Sequence, residues 1–360
     1  MDNKIFAKWN NLFGYSLFFI ALLTFGITVE PTASFWDCAE YIATSAKLQV
    51  GHPPGAPLFQ MMGAFFSIFA SSPDQIALMV NFMSVISSAT TVLFLFWSIT
   101  LLLKKIYNIK SFDNSIKRIS FFGSASIGSL AFCFSDSFWF NAVEAEVYAM
   151  ATCLMSIMFW VSLKWESEMN TPRGDRWLVL ISFLVGLCFG VHFMALLTIP
   201  AMGMLYYFKN YNKITLKGFI LANLISVAIL LFIFKLLLPS TLAFFGNSEV
   251  FFINNFGLPF NSGTIIAGLI IIASFYYALR YTHKKNWVNI NTAVLCTLFI
   301  LVGFASWIMI PIRANANTVI NENAPSDARL LLAYYNLEQY PETKLFYGPM
   351  FSDIYSGQDE

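Results

Sequence analysis

Four residues that can do acid–base chemistry, Glu30, Asp37, Glu40 and His52, fall within residues 28–58, TVEPTASFWDCAEYIATSAKLQVGHPPGAPL. The chain is only 11% charged and holds three histidines, so the cluster stands out from its background. It follows directly on an apolar run, and an ionisable group drawn from there to the bilayer centre costs roughly 2.5–3.5 kcal/mol. Asp37 and Glu40 stand three residues apart, which on a helix puts both carboxylates on one face, able to share a proton, a metal or a substrate hydroxyl. A carboxylate partly withdrawn from water can accept a hydroxyl proton as that oxygen attacks an electrophilic carbon. The bland alternative is a pair that caps a loop helix and meets Lys47. His52 opens the run HPPGAP, whose prolines fix φ and drive each preceding residue into the extended region. Such a strut holds an imidazole still, to bind a phosphate or to orient the acidic pair, unless it is only a membrane-entry turn.

A second polar stretch, residues 135–148, reads SDSFWFNAVEAEVY. On a helix Glu144 aligns with Tyr148 while Glu146 points elsewhere, and the aromatic residues suit a membrane interface. The stretch reads either as an acceptor- or carrier-binding loop or as an aromatic belt with solvated charges. His192 lies inside apolar sequence, where an ionisable side chain is a functional candidate, next to the helix-packing pair Gly186 and Gly190. Arg313 follows the last apolar run, where a guanidinium matches phosphate oxygens at headgroup depth. Lys235 either snorkels or meets a lipid phosphate. Asp37, Glu40, Glu144 and Glu146 offer oxygen ligands suited to Mg²⁺ or Mn²⁺, but no spacing dictates a metal site, so a divalent metal is possible and no cofactor is required.

The elements that must position these groups are apolar. With 58% hydrophobic residues and repeated runs near the roughly 20 residues that cross a bilayer, the chain reads as an all-α polytopic membrane protein. Nine spans are expected, at about 12–29, 76–103, 119–134, 147–164, 177–191, 193–208, 216–238, 263–281 and 291–310. The first should remain as a signal anchor. Residues 56–70 are apolar but short, and a crossing there would move Lys104, Lys105, Lys110, Lys117 and Arg118 outside; they read as a re-entrant or interfacial helix. Ser72, Pro73 and Gln75 then spell a capped helix start.

With that choice the basic residues, from Lys4 and Lys8 to Arg280, Lys284 and Lys285, gather on the cytoplasmic side, together with the N-terminus. Glu30, Asp37, Glu40, Glu144, Glu146 and Glu249 gather opposite, with Lys47, Lys235, Arg313, Arg329 and Lys344. Residues 1–310 form the transmembrane module, and residues 311–360, with few apolar runs, an extracytoplasmic segment that reads as the start of a longer loop or soluble region. Five scattered cysteines form no disulfide framework, and a net charge of +1 predicts no nucleic-acid partner.

WDCAEY followed by GHPPGAPLF, with SDSFWFNAVEAEVYA, GVHFMALLTIP and IPIRANANTVINENAP, resembles a family of membrane proteins long catalogued as a domain of unknown function and related to transmembrane protein O-mannosyltransferases. The resemblance runs across nearly the whole chain, with Ala39 where the family pattern usually has glycine. It implies the GT-C architecture, in which an acidic residue of the first outer loop serves sugar transfer from a polyprenyl-phosphate donor. Asp37 takes that position, with Glu40, His52, Glu144, Glu146, His192 and Arg313 around it. The expected function is inverting transfer of a sugar to a Ser/Thr hydroxyl of a secreted or membrane protein, at a multi-pass protein of, most plausibly, a bacterial inner membrane. The alternative is a transporter or flippase of lipid-linked sugars.

Overall fold

A computed structural model describes residues 2–109, 111–112, 114–171, 173–341 and 347. Lys110 and Lys344, assigned above to opposite sides, lie outside the described residues, as does most of the polar segment from 342 onwards. The chain is an all-α, multi-pass membrane protein; among the described residues the sole β pairing is an isolated bridge between Val50 and Asn321.

Its helices are α1 (Asp2–Ile27), α2 (Cys38–Lys47), α3 (Pro57–Ser67), α4 (Ile76–Ile106), α5 (Ser115–Cys133), α6 (Asp136–Ala142), α7 (Val147–Glu168) and α8 (Asp175–Cys188). There follow α9 (Thr198–Asn210), α10 (Leu216–Leu231), α11 (Leu238–Phe256), α12 (Ser262–Lys284), α13 (Val288–Phe304), α14 (Met309–Ala314) and α15 (Ala328–Tyr335). By length and composition six continuous helices can cross a membrane, or seven if α5 and α6, bent by 69°, act as one.

The count differs from the expected nine mainly because α8 and α9, with 14 and 13 residues, are each too short to cross alone. Between them the chain breaks at His192, which is extended and caps a 3-10 turn, Phe193–Leu197. The two form a hairpin. The start of α8 is tied to the end of α7 by Trp177 Nε1 donating to Glu168 (3.0 Å). The end of α9 returns there through Lys209, 3.5 Å from Glu166. Lys105, at the end of α4, reaches the same Glu166 at 2.7 Å, so these ends share one basic face.

The opposite ends converge likewise. Asn81 of α4 donates to the carbonyls of Glu30 and Thr32 (2.6 and 2.8 Å), and the Glu30 amide donates to Val143 just before α7 (3.0 Å). Trp307, beyond α13, donates to Phe189, beyond α8 (2.8 Å). At this face α3 begins against the α8–α9 break, the Leu58 amide donating to Gly190 (2.8 Å). With 11 residues it reaches about 16 Å and does not cross. Ser72 precedes the 3-10 turn Pro73–Gln75 but its side chain makes no cap; Gln75 reaches back to the Ser71 amide instead (3.1 Å).

Glycine decides one helix crossing. A Cβ on Gly186 would lie 2.2 Å from the Ile300 carbonyl and 2.8 Å from Gly303, so α8 and α13 touch backbone to backbone. The span expected at 216–238 continues instead to Phe256, one helical run of 41 residues. A π turn, Phe232–Leu237, widens the helix just before Pro239, which has no N–H to give. The Phe234 carbonyl, five residues earlier, takes the Tyr335 hydroxyl (2.9 Å). Glu249, counted above with the acidic groups, is spent on capping α12: it accepts from the amides of Asn261 and Thr264, the latter at 2.7 Å.

Candidate active site

Asp37 does not lie within a helix beside Glu40 but precedes α2 as its cap residue, after Trp36, whose φ of 64° turns the chain sharply. The two carboxylates nevertheless meet, through His52. Glu40 grips that residue twice: one oxygen accepts the His52 backbone amide (2.7 Å) and the other faces Nδ1 (3.0 Å). The hydrogen-bond pattern assigns the proton on Nδ1 to Glu40 and leaves Nε2 toward Asp37, whose Oδ2 is 3.8 Å away. Gly51 makes the grip possible, since a Cβ there would sit 2.6 Å from the Glu40 carboxylate. Asp37 is the open member of the trio, with 59% of its side chain exposed, against 26% for His52.

Charge follows this geometry. The hydrogen bond to Glu40 lifts the His52 pKa above its ordinary value despite burial, with the charges of Glu40, Asp37 and Glu322 adding to the lift. Burial pushes Glu40 up, but the hydrogen bonds from His52 and its positive charge outweigh that and hold the carboxyl below its ordinary value. The imidazolium–carboxylate pair is thus the favoured state of the loop.

The second loop supplies two carboxylates that are almost sealed from solvent, Glu144 at 2% and Glu146 at 5% exposure. Glu144 accepts a short hydrogen bond from Ser34, and burial raises its pKa. Glu146 stands at the N-cap position of α7 without a side-chain cap hydrogen bond, and one of its oxygens has no partner among the described residues. Burial, then the nearby charges of Asp37 and Glu144, push it up to about 7. Tyr41 joins the loops: it is buried, its ring lies 5.7 Å from that of His52, and its hydroxyl feels Glu146, Asp37, Glu40 and Tyr148.

Of the residues singled out in the sequence, Asp37, Glu40, His52 and Glu146 therefore form one polar cluster, with Glu144 beside it. Tyr148 and His192 stand at its edge with ring centres 5.1 Å apart, and His192 Nδ1 accepts the Met194 amide (3.1 Å). Arg313 lies elsewhere in the arrangement. Its Nε donates to Leu48 and its Nη2 to Lys47 (3.1 Å), so the guanidinium closes the C-terminal end of α2. Lys235 is exposed on the π turn, over the ring of Phe234. Among the described residues no three His, Cys, Asp or Glu side chains converge as a metal site.

Several participants were not singled out in the sequence. On the strap at residues 318–326 the Ile320 carbonyl accepts the Val50 amide (3.1 Å), the Glu322 amide donates to the Val50 carbonyl (3.1 Å), and Gln49 accepts the Ile320 amide (2.8 Å). Tyr334 donates to the Gly51 carbonyl (2.6 Å), and Gly55, at φ +78°, gives its ring room. Glu322 is thereby brought near Glu40 and His52; burial, then the charge of Glu40, raises its pKa. Tyr41, inside WDCAEY, and Glu322, inside IPIRANANTVINENAP, fell in blocks already noted; what gave no local signal was the pairing of Glu322 and Tyr334 with residues some 270 and 280 positions earlier.

Residues 37–215 match the family model described as the protein O-mannosyl-transferase TMEM260 N-terminal domain. A curated relative, the protein O-mannosyl-transferase tmem260 of Dictyostelium discoideum, is 22% identical over 162 residues, covering 45% of this chain and 18% of that protein. The chain therefore matches less than a fifth of the length of that relative. No solved structure matches. The matched segment carries Asp37, the histidine strut and the second acidic loop of an all-helical membrane domain, and over that segment the chain is related to a GT-C-type family of protein O-mannosyltransferases.

Proposed function

We propose that the protein transfers a sugar, mannose by analogy with its relative's name, from a polyprenyl-phosphate donor to a Ser/Thr hydroxyl of a secreted or membrane protein. The observation that carries this reading is the Glu40–His52–Asp37 arrangement, in which a fixed imidazole stands behind an exposed carboxylate. Asp37 takes the acceptor's hydroxyl proton; the acceptor oxygen bonds to the anomeric carbon as the bond from that carbon to the phosphate oxygen breaks. The phosphate departs with the bonding electrons and the anomeric centre inverts. His52, kept cationic by Glu40, supplies positive charge to the leaving phosphate, and such preset charge in a water-poor site contributes several kcal/mol. Arg313 supports the reaction from a distance by closing α2. Glu146 and Tyr41 form the buried wall against which the donor's sugar is oriented.

The acidic face is read as extracytoplasmic, because the basic helix ends lie opposite. The test is reconstitution of the chain in proteoliposomes with radiolabelled polyprenyl-phosphate mannose and a Ser/Thr-rich acceptor. Label on protein is the expected result. Movement of the labelled lipid between leaflets without a covalent product would instead identify a transporter.

A further inference from the structure

On the face opposite the acidic site, where the basic ends of α1, α4 and α7 meet, the helices leave a cleft of about 380 Å³. Its lining includes Phe6, Asn10, Trp97, Lys104, Trp160 and Lys164. All three helices are apolar enough to cross a membrane, so the cleft sits at the edge of the acyl layer. The two indoles pack against each other, ring centres 5.6 Å apart, at the depth where amphipathic rings settle between hydrocarbon and water. Lys104 lies 4.6 Å over the Phe6 ring and Lys164 5.2 Å over the Trp160 ring, so both ammonium groups rest on aromatic faces at the cleft wall.

The polar groups are arranged around that charge. Trp97 Nε1 donates to the Asn10 carbonyl (3.3 Å) and the Asn10 side-chain oxygen accepts from Thr100 (2.7 Å), which fixes this lining residue between α1 and α4. Glu168, the carboxylate whose charge reaches Lys164, is bound by Arg176 (2.9 Å) and Trp177 (3.0 Å). Two like charges brought to one half-dry cleft repel, and an anion placed between them turns that repulsion into attraction that is stronger than in bulk water.

We propose that this cleft binds the phosphate headgroup of a membrane-anchored amphiphile, on the face opposite the proposed transfer site. The occupant is a lipid rather than free phosphate because Leu101 and the aromatic rings give the cleft an apolar wall that an acyl or polyprenyl chain covers and a hydrated ion does not. The reading is independent of the transfer reaction.

The test uses the full chain, purified in a nonionic detergent, with bound lipid counted by native mass spectrometry. Dioleoyl-phosphatidic acid is expected to bind about thirtyfold more tightly than dioleoyl-phosphatidylcholine, the preference that two lysines near a membrane surface give an anionic lipid. The double variant Lys104→Gln/Lys164→Gln is expected to lose that preference. Ala7→Trp should lose it too, because Ala7 is an exposed residue of the cleft lining and the indole fills the cleft while both charges stay. Inorganic phosphate at matched concentration should displace nothing. Equal binding of the two lipids, or full retention of the preference by Ala7→Trp, overturns the proposal even if the lysine variant fails to fold. Displacement by inorganic phosphate would assign the cleft to a soluble anion and overturn it as well.

Discussion

His52 is the side chain on which the acidic loop turns, because both carboxylates of the first loop are read through it. The proposed base predicts that Asp37→Asn lowers transfer by about a thousandfold or more, within the range of general-base loss, while insertion and donor binding persist. Glu40→Gln should cost about tenfold, since it weakens the hold on His52 and leaves Asp37 in place. Near wild-type turnover of Asp37→Asn in the proteoliposome assay would remove Asp37 from that role. The same trio has a pH signature. His52 is raised from 6.5, so its contribution to stability is complete below that pH and is lost as pH rises through the higher folded value. Glu40 is lowered from 4.5, so its contribution is complete above that pH and is lost as pH falls through the lower folded value. His52→Gln should therefore destabilise most between about pH 4.5 and 6.5, by about 1 kcal/mol for a half-exposed pair, with a smaller effect at alkaline pH. Thermal unfolding of both proteins across pH reads this, and a difference that does not vary with pH would contradict it. The individual acids were legible in the sequence because charge is scarce there. Their partnership was not: the three-residue spacing suggested direct sharing on a helix, whereas the chain turns at Trp36 and the histidine mediates.

The short helices α2 and α3 do the positioning, and long ones only frame them. α2 is ten residues, too short to be stable alone, and is fixed at its far end by Arg313. Arg313→Ala should cost about 1–2 kcal/mol and lower transfer, with Arg313→Lys restoring part of each, because the lost donors leave helix-end carbonyls without partners. If the Ala variant kept its stability and lost only donor affinity, the guanidinium would be a phosphate ligand after all. Helix existence was readable from the length of the apolar runs, and the break at His192, where the chain turns back, from the basic loops that a break keeps on one side. Helix ends were harder. The span expected to end at 238 runs on through the π turn, whose Phe234 carbonyl takes the Tyr335 hydroxyl, a tertiary contact with no trace in the local sequence. Likewise the spans expected at 177–191 and 193–208 both have the composition of membrane helices, and only the observed helices of 14 and 13 residues show that neither crosses alone.

The molecule as a whole has two chemically distinct ends, one gathering lysines around Glu166 and one gathering carboxylates around His52. On a background without native cysteines, single cysteines at Ala33 and Glu338 should react with an impermeant thiol reagent applied to intact cells, and those at Asn114 and Asn286 only after lysis. Outside labelling of Asn114 would set the basic loops on the wrong side and separate the two acidic loops. The charge asymmetry that predicts this was the most legible global property, since it depends on composition and not on packing. The strap at residues 318–326 was not legible, because it joins Val50 through backbone groups that every residue carries. That strap has a bearing on synthesis. His52 leaves the ribosome early, but the Glu322 backbone and the Tyr334 hydroxyl that brace its loop emerge only after α13. A growing chain therefore holds its acidic loop unbraced until α13 and the strap beyond it have been made, and the geometry around His52 is assembled only then.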